Sequence, residues 1–166
     1  MSALDPVPAD QIWTLTRDFA HPVASVFHAL TDADAITRWY GPAGWSVVPD
    51  SVEVDPSEGG NRSLRLALDE DPSQEAPVHA RHQEVVPGRL LEIHEFLPDH
   101  EGRPSEHVIV LRCELRPMAV ESPDGGRYAT RVTLTQGPLP EQVHDHARAA
   151  WASSLERLAG FLRDQS

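Results

Sequence analysis

Lysine is missing altogether, and all 14 basic residues of this 166-residue chain are arginines. The absence of lysine excludes Schiff-base chemistry, a P-loop lysine and a lysine general base. Cysteine occurs once, as Cys113. This excludes an internal disulfide and a cysteine-rich zinc site and is typical of a reducing compartment. No apolar run approaches the roughly 18 residues of a membrane span, and the first residues show no signal-peptide pattern. We therefore expect a cytoplasmic protein.

Positive charge is also scarce: 26 acidic residues face 14 arginines, for a formal net charge of −12. Nucleic acid and anionic membrane surfaces both require a basic footprint, so neither is an expected partner. The length is that of one domain, which can bury about two thirds of its unfolded surface. Residues 1–10 are polar and contain two prolines, which predicts a disordered lead-in before a single domain at 11–166.

The first half of the pattern predicts one strand followed by two short helices. Apolar and polar residues alternate from Ile12 to Phe19, as in a half-buried strand. Pro22 suits a helix start, and apolar residues follow it with helical spacing up to Leu30. A second short helix is predicted over Ala33–Trp39, with Asp32 as its N-cap.

The remainder predicts a run of strands and one long helix. Residues 45–134 contain alternating segments separated by turn signals such as Pro87-Gly88 and Ser122–Gly126. Short connections between successive strands favour an antiparallel meander. From about Pro140 to Leu162, apolar residues recur every three or four positions, which predicts a helix on the order of 35 Å long. The order β-αα-β₆-α is typical of an α+β domain.

Five segments resemble, in order, the motifs of one known family. They are Arg17–Asp32 (RDFAHPVASVFHALTD), Arg38–Trp45 (RWYGPAGW), Asp55–Gly60 (DPSEGG), Glu84–Leu90 (EVVPGRL) and Trp151–Leu158 (WASSLERL). The chain is thereby identified as similar to bacterial members of the Hsp90-ATPase-activator-homologue family, within the START/Bet v 1-like (SRPBCC) superfamily. The resemblance spans Ile12 to Leu162.

The resemblance implies a helix-grip fold. In that fold a curved antiparallel sheet, here of six to seven strands, wraps around a long C-terminal helix, with two short helices between the first two strands. The chain departs from the family motifs at two places. Ser57 replaces the usual arginine of the Asp55–Gly60 segment, and Glu92–Phe96 is more polar than the usual aromatic-rich strand.

Nine histidines invite a metal hypothesis, but their spacing disfavours it. His79 and His82 would face opposite sides of a strand, and His144 and His146 would diverge by about 200° on a helix. We predict no metal and no cofactor. Cys113 lies between apolar neighbours on its predicted strand and is interpreted as a small buried residue.

The candidate site is a cavity between the sheet and the long helix. Trp151 is flanked by the small residues Ala147, Ala150 and Ser154, which predicts a void beside its ring and a ligand within it. Arg17 shares a face with apolar residues and is interpreted as a carboxylate partner or as an anchor for an acidic ligand. His82 and Glu84 fall on the same face of their predicted strand as Val78 and Ala80, so we expect one or both to supply polar contacts inside the cavity. The predicted ligand-binding residues are Arg17, Trp39, Trp45, Leu66, His82, Glu84, Ile93, Leu111, Trp151 and Leu155.

The function predicted from these features is binding of a hydrophobic or amphipathic small molecule, without catalysis. One alternative is a polyketide cyclase, aromatase or hydrolase in the same cavity. His82, Glu84 and His94 would be its acid–base candidates. Another is a chaperone cofactor that binds an Hsp90-type partner, as the family name implies. The oligomeric state, including a homodimer, stays open.

Overall fold

The computed structural model describes residues 11–120 and 127–165. Eight strands form one antiparallel sheet in the order β1-β8-β7-β6-β5-β4-β2, with β3 paired to β4. The strands are β1 (Trp13–Phe19), β2 (Trp45–Val47), β3 (Glu53–Val54), β4 (Asn61–Leu68), β5 (Asp71–Val86), β6 (Leu90–Pro98), β7 (Pro104–Val120) and β8 (Arg127–Gly137). The helices are α1 (Val23–Thr31), α2 (Ala33–Trp39) and α3 (His144–Gln165).

The predicted α+β helix-grip fold is confirmed: α1 and α2 connect β1 to β2, and α3 is the long C-terminal helix. The sheet has one strand more than predicted, because residues 45–54 form two short strands that both pair with β4. The predicted lead-in at 1–10 and the turn at 122–126 lie outside the described residues.

Local sequence accounts for the helix boundaries. The Asp32 side chain accepts a hydrogen bond from the Ala35 amide at 3.0 Å, which caps α2 as its position predicted. The helix α3 begins at His144, four residues after Pro140, because Glu141–Val143 forms a 3₁₀ turn. No helix among the described residues is long and apolar enough to span a membrane.

The main core lies between the concave face of the sheet and the three helices. Its buried members come from both sides: Leu91, Ile93, Leu111, Leu115 and Leu134 from strands, and Val26, Leu155, Leu158 and Leu162 from helices. Within this core, the Trp13 indole N–H donates to the Gln136 side-chain oxygen at 3.0 Å. The concave face is therefore apolar over most of its area, and the polar groups on it stand out.

Candidate functional site

Two charged side chains lie on the concave face in one row across three strands. Arg62 on β4 pairs with Ala80 on β5, and Ala80 pairs with Glu95 on β6. Arg62 and Glu95 are thus two strands apart, or about 10 Å between backbones. Both side chains point inward, because residues two apart on a strand face the same side. Leu64, two residues after Arg62, and Ile93, two residues before Glu95, are both buried.

Arg62 is 5% exposed, and its Nη1 donates to the Leu30 carbonyl oxygen at 2.6 Å. Leu30 lies in the last turn of α1, where a cation suits the free carbonyls and the helix dipole. This contact ties α1 to β4. It uses one of the five N–H donors of the guanidinium, and Arg62 forms no ion pair with any carboxylate of the described residues.

The half-buried Glu95 and the buried Cys113 lie on the same face of the sheet as Arg62. Burial raises the pKa of the Glu95 carboxyl, and Arg62 opposes that shift. Burial likewise raises the pKa of the Cys113 thiol to about 12, so this cysteine stays a thiol at neutral pH. Within the described part of the chain, Glu95 accepts no hydrogen bond. The concave face therefore holds a cation and an acid that act on each other without direct contact.

Aromatic rings connect this charged row to α3. The Tyr40 and Trp151 rings meet edge to face at 5.8 Å between centroids, and Trp39 meets Tyr40 in the same manner at 5.5 Å. The Arg62 guanidinium lies 6.0 Å from the Tyr40 ring centroid, within cation–π range. A continuous path of contacts thus runs from Trp151 through Tyr40 to Arg62.

His82 lies fully buried beside this row and is held by the loop between β3 and β4. Its Nδ1 is 2.7 Å from the Asp55 carbonyl oxygen. Since a carbonyl only accepts, Nδ1 carries the proton and Nε2 is a bare acceptor, which has no partner among the described residues. The backbone of His82 also bonds to Gly59 and Gly60. The DPSEGG segment is therefore a loop that closes against β5.

The pH dependence of stability should report on His82. Burial, followed by the charge of Arg62, lowers the pKa of His82 below its ordinary 6.5. In the unfolded chain the ordinary value returns, so below about pH 6.5 the unfolded state binds more protons than the folded state. Stability then falls with decreasing pH, by at most about 1.4 kcal/mol per pH unit from this residue.

Urea unfolding of wild type and His82→Gln at about pH 7.5 and 5.5 checks this prediction. Glutamine can still donate to the Asp55 carbonyl but does not titrate. Wild type should lose more stability than the variant between the two pH values. Equal losses would contradict the prediction, since all other titrating groups are common to both proteins.

Glu84 does not lie on the face predicted for it. A bulge at Gln83 shifts the register, so that Glu84 pairs with Glu92 instead of following His82 inward. Its carboxylate lies 3.9 Å from Arg112 on the convex face. The prediction that His82 and Glu84 share a face is therefore wrong, because strand alternation holds only where no extra residue is inserted.

The structure separates the remaining predicted residues into several environments. Ile93, Leu111 and Leu155 are buried in the core, and Trp39 is buried with its indole N–H donating to the Ala29 carbonyl at 2.8 Å. Arg17 forms an ion pair with Glu156 of α3, as expected if its role is to pair with a carboxylate. Trp45 and Leu66 are half-buried on β2 and β4. Trp151 contacts Tyr40, and His82 lies close enough to Arg62 for the arginine charge to lower its pKa.

The predicted void beside Trp151 is occupied on one side by the Tyr40 ring. Of the ten predicted residues, Arg17 and Leu155 line a pocket of about 360 Å³ between β1 and α3. The acid–base candidates are not brought together, since His82 points inward while Glu84 and His94 lie on the convex face. No group of three or more possible metal ligands exists among the described residues.

Sequence reasoning missed Tyr40, Arg62 and Glu95. A signal was present for two of them. Arg62 lies on the same strand face as Leu64 and Leu66, and Glu95 lies on the same face as Leu91 and Ile93. Both charged residues thus interrupt an apolar face of an alternating strand. Tyr40 gave no comparable signal, because it follows the last residue of α2 and its direction depends on how the chain leaves that helix.

Comparison with known proteins places the chain among others of this fold. A family model described as "Activator of Hsp90 ATPase homolog 1-like protein" matches residues 20–163. A Chromobacterium violaceum protein shares 22% identity, with 92% of this chain and 96% of that chain covered and a TM-score of 0.74. The AHSA1 protein of Silicibacter pomeroyi shares 21% identity, with 93% of this chain and 99% of that chain covered and a TM-score of 0.77. No curated protein matches the chain in sequence.

Proposed function

The chain belongs to the family of Activator of Hsp90 ATPase homolog 1-like proteins, and on that basis we propose that it binds a hydrophobic or amphipathic small molecule without catalysing a reaction. The ligand lies between the concave face of the sheet and α3. The observation that carries the proposal is a pair of charged side chains, Arg62 and Glu95, which lie on one row of an otherwise apolar face and form no ion pair among the described residues.

Buried charges in proteins are normally paired, because an unpaired one loses its hydration without compensation. Arg62 is buried and Glu95 is half-buried on the same face of the sheet, yet neither forms an ion pair with any described residue. A ligand with an acceptor group for Arg62 and a donor group for Glu95 would satisfy both. Its apolar part would lie against Trp151 and Tyr40, whose edge-to-face contact presents apolar ring surface near the charges.

Native mass spectrometry of freshly purified protein tests the proposal directly, because a carried-over molecule adds a defined mass. Thermal shift with a panel of lipids and polyketide-like aromatics then measures which of them stabilise the fold. A bound mass, or a rise in melting temperature that grows with ligand concentration, supports the proposal. A protein without bound mass and without any shift contradicts it.

Glu95→Gln separates binding from folding. The substitution keeps the size of the side chain and removes a carboxyl whose pKa burial has raised, so the stability at pH 7 should be unchanged or higher. If the carboxylate accepts a hydrogen bond from the ligand, affinity should fall about tenfold. Calorimetric titration with the stabilising ligand measures the affinity, and chemical denaturation measures the stability.

Glu114→Gln is the matched control, because Glu114 lies on the convex face beside Arg112. Its ligand affinity should equal that of wild type. An unchanged affinity in Glu95→Gln would remove Glu95 from the site.

The chaperone alternative is distinguished by a separate measurement. If the purified protein raises the ATPase rate of a bacterial Hsp90 and no small molecule stabilises it, the ligand-binding proposal fails and the family name describes its role. If a ligand binds and the ATPase rate is unchanged, the ligand-binding proposal stands.

A further inference from the structure

A groove of about 870 Å³ lies on the convex face, where β7 and β8 pass the turn between β5 and β6. Among the described residues, its lining contains four arginines, Arg89, Arg112, Arg116 and Arg131, and one carboxylate, Glu114. Such a concentration of cations contrasts with the chain as a whole, in which acidic residues outnumber arginines by 26 to 14. The groove is a local exception to the negative charge of the protein.

Two of these arginines are already neutralised. Arg131 donates to both carboxylate oxygens of Asp18, at 2.9 and 3.0 Å. Arg112 donates to Glu92 at 2.8 Å and to Glu114 at 3.1 Å. Arg89 and Arg116 differ, since in the described part of the chain neither side chain pairs with a carboxylate or donates a hydrogen bond.

Arg116 is placed directly opposite Arg131 in the β7–β8 register. Like charges at directly opposed positions of an antiparallel pair are unfavourable. The turn between β5 and β6 brings Arg89 to the same place, because the Arg89 carbonyl accepts a hydrogen bond from the Leu115 amide at 2.8 Å. The described residues thus leave two guanidinium groups unpaired beside two paired ones, and a bound anion would stabilise this arrangement.

The groove also has an apolar part. Val86 is 37% exposed, and Pro87 and Pro117 lie along the same lining. We propose that this groove binds an organic oxyanion, a phosphate or carboxylate group attached to a small apolar body. Arg89 and Arg116 hold the oxyanion, and the valine and prolines contact the apolar body. The site lies on the opposite face of the sheet from Arg62 and Glu95, so it is independent of the function proposed above.

Titration of ¹⁵N-labelled protein with phenyl phosphate, at constant ionic strength, tests the proposal. Because the chain has no lysine, its cationic side chains are all arginines, and their Nε–H signals report on the groove. The signals of Arg89 and Arg116 should shift with a Kd on the order of 1 mM. Inorganic phosphate should bind more weakly, since it lacks the apolar body.

Arg89→Gln and Arg116→Gln should each weaken phenyl phosphate binding about tenfold. Both side chains are exposed, so the variants should fold normally. Arg38→Gln is the charge-matched control on α2 and should bind as wild type does. If all three variants bind phenyl phosphate equally weakly, the loss comes from the change in net charge and not from the groove, and the proposal is overturned. Absence of saturable shifts at Arg89 and Arg116, or equal affinity for inorganic phosphate, would also overturn it.

Discussion

Gly60→Ala should lower the free energy of unfolding by about 3 kcal/mol or more, among the largest effects of a single methyl group. A Cβ at this position would lie 2.7 Å from the Asp55 Cγ and 2.8 Å from its Cβ, and it would overlap the Asp55 carbonyl oxygen. That oxygen accepts the hydrogen bond of His82. The loop must therefore open to admit the methyl group, and the buried histidine loses its partner.

Gly59→Ala is the neighbouring control. Gly59 has a φ of +81° with open space around the position of a Cβ, so alanine there should cost about 1 kcal/mol for the left-handed backbone alone. Urea denaturation of both variants measures the difference. A Gly60→Ala cost no larger than that of Gly59→Ala would contradict the close packing of the loop.

Trp39→Ala should cost about 3–5 kcal/mol, a large share of the stability of a domain of this size. Its ring is 1% exposed, and its indole N–H donates to the Ala29 carbonyl in α1. The substitution leaves a cavity between α1 and α2 and an unpaired carbonyl. Chemical denaturation measures the loss, and Trp39→Phe should recover part of it by refilling the volume.

Trp151→Ala provides the contrast. Trp151 is half-buried, and its ring is nearly perpendicular to that of Tyr40. Because part of its surface is already free of protein contacts, its removal should cost about 1–2 kcal/mol and weaken ligand binding as well. If Trp151→Ala costs as much as Trp39→Ala and leaves ligand affinity unchanged, Trp151 is an ordinary core residue and the site must be sought elsewhere.

Much of the fold was predictable because its signals are local. Alternation in β1, β4 and β7 and the three-to-four spacing in α3 are properties of short segments, and each predicted its element. The cap at Asp32 needed only three residues of sequence. The family resemblance then implied how the elements assemble. The family model over residues 20–163 confirms the family, and the sheet order confirms the assembly.

The candidate site was less predictable because it depends on register. Alternation from Val78 to Glu84 predicted a common face for His82 and Glu84, but one bulged residue turned Glu84 outward. Conversely, Arg62 and Glu95 lie 33 positions apart, and neither segment contains information about the other. They lie on one row because Ala80 of β5 pairs with both.

The sequence by itself determined the exclusions and the elements. A chain without lysine and with one cysteine cannot perform several chemistries, and its hydrophobic periodicity specifies strands and helices through contacts only a few residues apart. Only the tertiary structure decided which polar groups share an interior. Strand pairing brings Arg62 and Glu95 onto one row, and the packing of the Asp55–Gly60 loop against β5 buries His82. Those arrangements minimise the free energy of the whole packed sheet, to which distant segments contribute jointly.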